Sequence, residues 1–417
     1  MATHSVIRNE PFTRLQRNAL ILLVLSVIIN YIDRGNLSVA APRLSVELGL
    51  GPQQLGVLHS LFFLTYALFQ IPCGWLVDRY NVNMVFAAGY ALWSLATGMT
   101  GFVSSFAVLA SLRLLLGAGE AVAYPSYSKI LAATFAEHQR GLANALLDAG
   151  TKLGPTLGTL IGGLIVSHVG WRWLFWIIGF ISLLWLGPWL RWAPPAERRA
   201  AGQPPSPSFR EIMRQRPAWG TFLGLFCINY AWYFLLTWMP YWLVKERGFT
   251  MDRMALFGAI PYLAAALAST GWGWLSDHLI RKGHAPSRVR KSFVVTGQLS
   301  ALWLLAAVFA TSNTWMLVFL TTALILMTLT SGHWAITQRL AGPAAAGKWT
   351  GVQNFFGNLS GVAAPAITGF IVQRTGQFYP AFVLVVAIIL LGACCYGFLI
   401  RRVEPITWNT QSCDTRC

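Results

Sequence analysis

The stretch Asn30-Tyr31-Ile32-Asp33-Arg34-Gly35-Asn36 interrupts the first long apolar segment of the chain. About a dozen apolar residues precede Asp33, so at ~1.5 Å of rise per residue it lies roughly 18 Å along a helix. An aspartate and an arginine at bilayer depth each cost a few kcal/mol, and such residues usually face a bundle interior or a water-filled cavity. The stretch therefore predicts a proton and anion site within a membrane-spanning helix. A side chain at the membrane edge that reaches water is the alternative.

The composition of the whole chain is typical of a membrane protein. Of its 417 residues, 55% are hydrophobic and only 11% are charged, and the mean hydropathy is +0.54. Apolar runs of about 20 residues recur from end to end, and each can cross a hydrocarbon layer of ~30 Å as a helix. We predict an all-α membrane protein with twelve transmembrane helices in two six-helix pseudo-repeats. No cleavable signal is expected, because Asp33-Arg34 stands where small residues would be needed.

Changes in composition divide the chain into five predicted parts. These are a cytoplasmic tail at 1–18, a six-helix bundle at 19–192, a cytoplasmic linker at 193–217, a second bundle at 218–400 and a cytoplasmic tail at 401–417. The linker is rich in proline and arginine, which is typical of a solvated tether. The twelve helices, each close to the length that a bilayer requires, are expected at about 19–41, 55–78, 82–103, 106–130, 141–167, 170–192, 218–244, 253–277, 292–311, 315–338, 350–373 and 378–400.

The distribution of charge predicts the topology and an anionic substrate. Lys and Arg number 31 against 14 Asp and Glu, which gives a formal net charge of +17. Most basic residues fall in loops on one side of the predicted helices, and the positive-inside rule assigns that side to the cytoplasm. We therefore expect a multi-pass protein of the bacterial inner membrane with both termini cytoplasmic. Cations inside the membrane favour an anionic substrate, and nucleic acid is not an expected partner.

Three motifs of the first half recur in the second half in the same order. They are Asn30-Tyr31 and Asn229-Tyr230, then Gly74 with Asp78 and Gly273 with Asp277, then Gly141, Asn144 and Pro155 with Gly351, Asn354 and Pro365. Parallel six-helix repeats are typical of a two-lobed transporter whose site lies between the halves, near mid-membrane. Nearly all the buried charge falls in the first half, so the second half is expected to supply shape and hydrogen bonds.

A second group of charged residues lies in the fourth predicted helix. Arg113, Glu120 and Tyr124 fall on one stripe of that helix. Arg113 and Glu120 are ~10 Å apart along the axis, which is too far for a relaxed ion pair. Each therefore needs a partner from another helix, and Asp33 and Arg34 are the candidates. We expect the charges of Asp33 with Arg34, and of Glu120 with Arg113, to balance in the empty protein. A purely structural network is the alternative.

The fifth predicted helix adds Asp148 and Lys152, four residues apart with the acid nearer the N-terminus, which is the favourable orientation for an ion pair. These two residues could simply neutralise each other's charge, or they could have a functional role, and the sequence favours neither interpretation. The six cysteines show no disulfide or metal-site spacing. The sequence contains no nucleotide-binding loop, metal cluster or nucleophile motif, so we expect neither an enzyme nor a primary pump, and no metal or cofactor.

The chain resembles the major facilitator superfamily and, within it, the anion:cation symporter family, over nearly its whole length. That family includes bacterial transporters of sugar acids such as galactonate, glucarate and hexuronate. The segments that carry the resemblance are Tyr31-Ile32-Asp33-Arg34-Gly35-Asn36-Leu37, Arg113 to Pro125, and Trp232-Tyr233-Phe234-Leu235-Leu236-Thr237-Trp238-Met239-Pro240.

The resemblance implies roles for individual residues. Asp33 and Glu120 would carry protons, and Arg34 would contact the substrate carboxylate. Arg113 would act as their coupling partner, and Asn354 would hydrogen-bond the substrate. The other candidates, which we add from their positions, are Tyr31, Tyr230, Tyr233 and Gln338 for substrate binding and Asp148 and Lys152 for the coupling network.

Two further motifs only partly follow the superfamily pattern. The predicted gate motif consists of Gly74, Asp78, Arg79, Gly273 and Asp277, but Tyr80-Asn81-Val82-Asn83 follows Arg79 in place of a glycine and basic residues. Leu225 stands where sugar-acid members can carry a polar side chain, which counts against a polyol substrate. Gly150, Gly154, Pro155 and Gly158 are similar to a motif of antiporters, although a kink with close helix packing is the simpler interpretation.

These observations predict proton-coupled symport of a small organic anion, such as a sugar acid or another carboxylate, by alternating access. An antiporter or exporter of an organic anion or drug is the alternative, and a receptor that reuses the bundle is a second one. The expected partners are a small carboxylate, protons and membrane lipid, with a monomeric protein. The energy source is expected to be the proton gradient, and sodium stays open as a coupling ion.

Overall fold

The computed structural model describes residues 12–195 and 207–408, and the regular structure of these residues is helical. Twelve long helices follow one another in this described part. They are α1 Arg14–Glu47, α2 Pro52–Arg79, α3 Val82–Thr100, α4 Phe106–Thr134, α5 Glu137–His168, α6 Trp171–Trp192, α7 Arg216–Lys245, α8 Met251–Arg281, α9 Pro286–Phe309, α10 Asn313–Gly342, α11 Ala345–Thr375 and α12 Tyr379–Leu399. The predicted all-α fold is confirmed.

Within the described residues, eleven of these helices are long and apolar enough to cross a membrane, and α5 is the exception. Its 32 residues are long enough, but they include Asp148, Lys152 and many glycines, which lower its hydropathy. The glycines let α5 pack closely against α1. A Cβ at Gly154 would lie 2.4 Å from Tyr31 Cβ, and one at Gly150 would lie 3.1 Å from Val27 Cγ1. The glycines of this motif therefore pack closely against α1, as the simpler interpretation predicts.

The ends of the predicted bundles differ from the structure. Helix α1 begins at Arg14, inside the predicted tail at 1–18, and Thr13 caps it. A short helix, Phe209–Arg214, lies within the predicted linker at 193–217, and Ile212 in it is fully buried. The expectation of a wholly solvated tether is therefore wrong for residues 207–217, because this apolar side chain packs against the second bundle. Residues 1–11, 196–206 and 409–417 of these predicted segments lie outside the described residues.

The short helix has a complete N-terminal cap. The Ser208 hydroxyl accepts a hydrogen bond from the Glu211 backbone N–H, and the Glu211 carboxylate accepts one from the Ser208 backbone N–H at 2.7 Å. The bond from the Ser208 N–H holds the pKa of the Glu211 carboxyl below its usual value. The sequence pattern Ser-x-x-Glu at a helix start is the signature of this cap.

The polar tail after α12 also packs on the second bundle. Val403 is buried, and its carbonyl accepts a hydrogen bond from Arg339 Nε at 3.0 Å. Further along, the backbone N–H of Ile406 donates to the Leu340 carbonyl at 3.0 Å, and Trp408 Nε1 donates to the Ala341 carbonyl at 2.9 Å. The tail therefore covers the end of α10.

The two halves of the molecule, α1–α6 and α7–α12, meet along α1 with α7, α2 with α11 and α5 with α8. Ser38 Oγ donates to the Thr237 carbonyl at 2.7 Å, and Ser60 Oγ donates to the Val362 carbonyl at 2.7 Å. These contacts lie on the side of the α1–α2 connection, which we call the distal side. The terminal side is the side where α1 begins and α12 ends.

The terminal side is more open than the distal side. A Cβ added at Gly74 or Gly273, near the terminal-side ends of α2 and α8, would meet no atom within 4 Å. By contrast, a Cβ at Gly56, near the distal end of α2, would lie 2.5 Å from the Pro365 carbonyl oxygen. Hydrogen bonds and a close glycine contact thus join the halves on the distal side, whereas the glycines near the terminal side have open space around them.

Candidate substrate and proton site

The charged stretch of α1 lies in the interior of the first half. Asp33, Arg34 and Glu120 are only 1%, 3% and 0% exposed. Arg34 Nε donates to Glu120 Oε2 at 2.8 Å, which joins the middle of α1 to α4. The helical part of α4 that begins at Phe106 ends at Glu120 and resumes at Ala123, so this acid stands at an interruption of the helix.

Glycines on α4 bring this helix close enough to its neighbours to hold Glu120 at that depth. A Cβ at Gly117 would lie 2.2 Å from the Phe62 carbonyl oxygen of α2. A Cβ at Gly119 would lie 2.9 Å from the Trp93 nitrogen of α3. Since any larger residue would push α2 or α3 away, the local sequence positions the carboxylate of Glu120 between helices.

The observed ion pair differs from the predicted balance of charges. For the empty protein we expected the charges of Asp33 and Arg34, and of Glu120 and Arg113, to balance. The structure instead pairs Arg34 with Glu120, which is one of the partners on another helix that the spacing on α4 required. Adjacent residues of a helix point about 100° apart, so Arg34 bonds Glu120 directly whereas Asp33 accepts a hydrogen bond from Asn36 of its own helix. Arg113 and Glu120 stand two turns apart on one helix, which prevents a direct contact, as their spacing indicates.

Asp33 and Arg113 form the second part of the charged group. Asp33 Oδ1 accepts a hydrogen bond from Asn36 Nδ2 at 3.1 Å. Thr97 of α3 and the charges of Arg113 and Glu120 also act on the Asp33 carboxylate. Arg113 is 2% exposed and has no acidic atom within 4.0 Å among residues 12–195 and 207–408.

Several buried polar atoms in this group have no hydrogen bond of regular geometry in the described part of the chain, although Thr97 interacts with Asp33 and Asn30 interacts with Glu120. They are Asn30 Nδ2, Asp33 Oδ2, Arg34 Nη2, Asn36 Oδ1, Thr97 Oγ1 and Glu120 Oε1. A buried polar group without a partner costs about 1–3 kcal/mol, so structures retain few of them without a reason. These atoms are concentrated around the ion pair between Arg34 and Glu120.

Aromatic side chains enclose the guanidinium of Arg34. Its Cζ lies 4.4 Å from the ring centre of Tyr66, 4.7 Å from that of Tyr31 and 5.7 Å from that of Phe62. The hydroxyls of Tyr31 and Tyr124 are 3.2 Å apart. These rings stabilise a buried cation through their faces, and they shield it from water on the sides that carry no carboxylate.

The second half reaches the site through Tyr233 and Asn358. The Tyr233 ring lies 4.3 Å from that of Phe63, and its hydroxyl donates to Asn358 Oδ1 at 2.9 Å. Tyr233 also interacts electrostatically with Arg34. Sequence reasoning missed Asn358, although it stands one helical turn beyond the predicted Asn354 and its Nδ2 donates to the Asn354 carbonyl at 2.9 Å.

The other predicted substrate residues of the second half lie elsewhere. Tyr230 is 1% exposed and packs against Phe226 at 6.1 Å between ring centres, one helical turn before Tyr233. Gln338 is exposed near the terminal-side end of α10. Asn354 is half-buried, one turn from the Tyr233–Asn358 contact.

The remaining predicted groups line the terminal side. Lys152 Nζ and Asp148 Oδ2 are 2.7 Å apart, and their side chains are 13% and 60% exposed. In the predicted gate motif, Arg79 stacks over Trp75 with its Cζ 5.3 Å from the ring centre. The acids of this motif, Asp78 and Asp277, are exposed, and its glycines, Gly74 and Gly273, have open space around them.

No group of three or more His, Cys, Asp or Glu side chains in the described segments could hold a metal ion. The charged centre offers cations and neutral hydrogen-bonding groups next to carboxylates that lack full pairing. Such a centre can bind an anion and hold a proton.

The chain is similar to known proteins over most of its length. A family model described as "Major Facilitator Superfamily" matches residues 23–364. The chain is 29% identical over 413 residues to a D-galactonate transporter of Escherichia coli O6:H1, covering 93% of this chain and 96% of that protein. It is 31% identical over 420 residues to a probable L-galactonate transporter of Escherichia coli K12, covering 95% and 91%.

Two further matches are a relative by sequence and a solved structure. A probable galactarate/D-glucarate transporter of Escherichia coli K12 is 27% identical over 422 residues, with coverage of 92% and 95%. A solved bacterial homologue of the human lysosomal transporter Spinster, in an inward-facing and occupied conformation, superposes with a TM-score of 0.80 at 18% identity. That match covers 94% of this chain and 98% of the other, and it supports the fold alone.

Proposed function

The chain belongs to the major facilitator superfamily, and from this premise we propose that it carries a small organic anion across the membrane together with a proton. As a member of that family it is a multi-pass membrane transporter and not an enzyme. The observation that carries the proposal is the buried Arg34–Glu120 ion pair at 2.8 Å. The names of the relatives support sugar acids as the substrate class.

The Arg34 guanidinium is the group best suited to bind the substrate. A guanidinium stays charged and offers a two-pronged donor that fits a carboxylate. Arg34 uses Nε for Glu120, while its Nη2 has no hydrogen-bond partner among residues 12–195 and 207–408. An incoming carboxylate therefore competes with Glu120 for the same cation.

This competition couples the anion to a proton. Once the substrate occupies Arg34, Glu120 is a buried acid that has lost its partner, and an unpaired buried charge costs several kcal/mol. Protonation removes that cost, so anion and proton load together, and each promotes the binding of the other. Asp33 lies close enough to feel the charges of both Glu120 and Arg113, and it is the second candidate for a proton.

Alternating access then follows from the two halves. Contacts between the halves on the distal side, with open space around the terminal-side glycines, support a carrier that opens to one compartment at a time. The excess of basic residues on the terminal side supports its assignment to the cytoplasm of a bacterial inner membrane. The direction that we propose is uptake by symport. The glycines of α5, which are similar to an antiporter motif, serve packing against α1 here.

The first test is transport by the purified protein in liposomes. We expect counterflow of labelled galactonate, and accumulation that follows an imposed pH gradient but not a sodium gradient. Absence of counterflow in correctly folded protein would contradict transport of this substrate. Accumulation under a sodium gradient alone would contradict proton coupling, and accumulation driven by the opposite pH gradient would indicate antiport.

The second test concerns Arg34. We expect Arg34→Lys to weaken galactonate binding about tenfold or more, because an ammonium loses the two-pronged geometry. Binding is measured by calorimetry on detergent-purified protein. Arg253→Lys, an exposed position on the distal side, is the matched control. Near-normal affinity in Arg34→Ala would remove this residue from the binding site.

A further inference from the structure

A second cation lies on the terminal side of the Arg34–Glu120 pair. Lys152 of α5 pairs with Asp148 at 2.7 Å, and the Asp148 side chain is 60% exposed. The arrangement repeats that of Arg34 with Glu120: a cation holds an acid that another carboxylate could replace. Because Asp148 is largely exposed, it can leave Lys152 at a much lower cost than a fully buried acid.

A buried histidine of the second half faces this cation. His333 of α10 is 8% exposed, and both Asp148 and Lys152 act on it electrostatically, so it lies opposite α5. Its Nδ1 is 2.8 Å from the Thr330 carbonyl oxygen. The Nδ1 proton must point to that carbonyl, which leaves Nε2 of the neutral ring as a hydrogen-bond acceptor. Nε2 has no partner within the described residues.

The same wall of α10 and α11 carries one more unpaired amide. The Thr337 hydroxyl donates to Gln353 Oε1 at 2.6 Å. Gln353 is fully buried, and its Nε2 has no partner in the part of the chain that the structure describes. His333 and Gln353 thus offer one acceptor and one donor on the half opposite Lys152.

The packing of α5 on α1 gives the separation of the two cations. Gly154 lies against Tyr31, and Gly158 lies against Ile32. Arg34 is therefore level with about residue 158 of α5. Lys152 stands roughly six residues nearer the terminal side, which is ~9 Å along the helix axis. The long side chains of Arg34 and Lys152 can bridge this distance from both ends of a short extended ligand.

We propose that Lys152 binds a second carboxylate, so that the carrier selects sugar acids with an acid group at both ends. This inference rests on the proposed function and specifies its substrate class: an aldaric acid such as galactarate over an aldonic acid such as galactonate. One carboxylate displaces Glu120 from Arg34, and the other displaces Asp148 from Lys152. His333 Nε2 accepts a hydrogen bond from a substrate hydroxyl near the outer carboxylate, and Gln353 Nε2 donates one.

Galactarate and galactonate are matched probes, since they differ only in whether the last carbon is a carboxylate or an alcohol. The measured quantity is the ratio of their dissociation constants with the full-length protein in detergent. We expect the wild-type protein to prefer galactarate and Lys152→Met to lower that preference about tenfold or more, because a charged hydrogen bond is lost. Lys152→Arg, which keeps the cation, should restore most of the preference.

The control variant is Arg253→Met, which removes a positive charge from an exposed position on the distal side of α8 and should leave the ratio unchanged. A Lys152→Met protein that loses affinity for both acids equally, or for neither, would overturn the second carboxylate contact. So would a wild-type protein that binds galactonate more tightly than galactarate. Binding of neither acid by folded wild-type protein would overturn the proposed sugar-acid transport as well.

Discussion

At the scale of single residues, Glu120 has to exist in two protonation states, ionised and neutral, at nearly the same position. It holds Arg34 through one oxygen, and its other oxygen, Oε1, has no hydrogen-bond partner within the described chain. A proton can therefore be added at Oε1. The neutral acid then holds Arg34 less strongly, and the bond from Arg34 to Oε2 is the one that is released. Asp33 differs in its partner, since its Oδ1 accepts a hydrogen bond from the neutral Asn36 of its own helix rather than from a cation.

A glutamine at position 120 imitates the protonated acid permanently. We expect Glu120→Gln to bind and exchange galactonate in liposomes but to fail to concentrate it under a pH gradient, since no proton is carried. Counterflow and gradient-driven uptake, measured on the same preparation, separate the two effects. If Glu120→Gln accumulates substrate as steeply as wild type, Glu120 is not the coupling group, and Asp33→Asn then tests the remaining acid.

The sequence identified which residues form the charged centre, but it left two ways in which they could pair. Asp33, Arg34, Arg113 and Glu120 could be assigned because charges within apolar helices are rare and their spacing on α4 forbids a pair within that helix. The partner of Arg34 depends on side-chain reach between two packed helices, and helical periodicity does not contain that information. Asn358 was missed for a related reason, as an amide on a helix face has no charge to mark it.

At the scale of elements, the end of α10 depends on the tail that follows α12. Gly342 leaves helical geometry with φ +63, and the next residue is a proline without a backbone N–H. The last carbonyls of α10 consequently lose their helical donors. The tail supplies replacements from Ile406 and Trp408. Composition predicted only a polar tail, because capping by a distant segment leaves no periodic signal.

This capping predicts that the tail stabilises the second bundle. Ending the chain after Arg402 removes both donors, and at about 0.5–1.5 kcal/mol for each hydrogen bond we expect a loss of roughly 1–3 kcal/mol. Thermal unfolding in detergent measures the effect as a lower Tm. The matched control ends the chain after Trp408, which keeps every tail contact described above. Equal Tm values for the two truncations would contradict the role of residues 403–408.

At the scale of the whole molecule, the distal closure must open and re-form in every transport cycle. Ser38 and Ser60 each contribute one hydrogen bond from the first half to a carbonyl of the second half. Both acceptor carbonyls stand three residues before a proline, Pro240 and Pro365, where kinks tilt carbonyls out of the helical ladder. The repeat in the sequence predicted two packed halves. It could not predict which end of the molecule is closed, because that depends on individual hydrogen bonds between the halves.

Removing both hydroxyls should shift the molecule towards opening on the distal side. At about 0.5–1.5 kcal/mol for each bond, the double variant Ser38→Ala, Ser60→Ala should change the ratio of the two states roughly five- to 150-fold. Pulsed electron paramagnetic resonance between spin labels on the distal ends of α1 and α11 would report a longer distance. Ser45→Ala is the control, because that hydroxyl bonds within its own helix. An unchanged distance distribution in the double variant would exclude the two serines as a latch.

The nature of these acceptors has a consequence for how the two halves tolerate sequence change. A backbone carbonyl is present whatever side chain its residue carries, so positions 237 and 362 can drift without losing the bond. The donors are side-chain hydroxyls, and at positions 38 and 60 only a few residue types can supply them. The constraint on the closure is therefore one-sided: a mutational scan should find the serines of the first half intolerant and their partners in the second half permissive to any residue of similar volume.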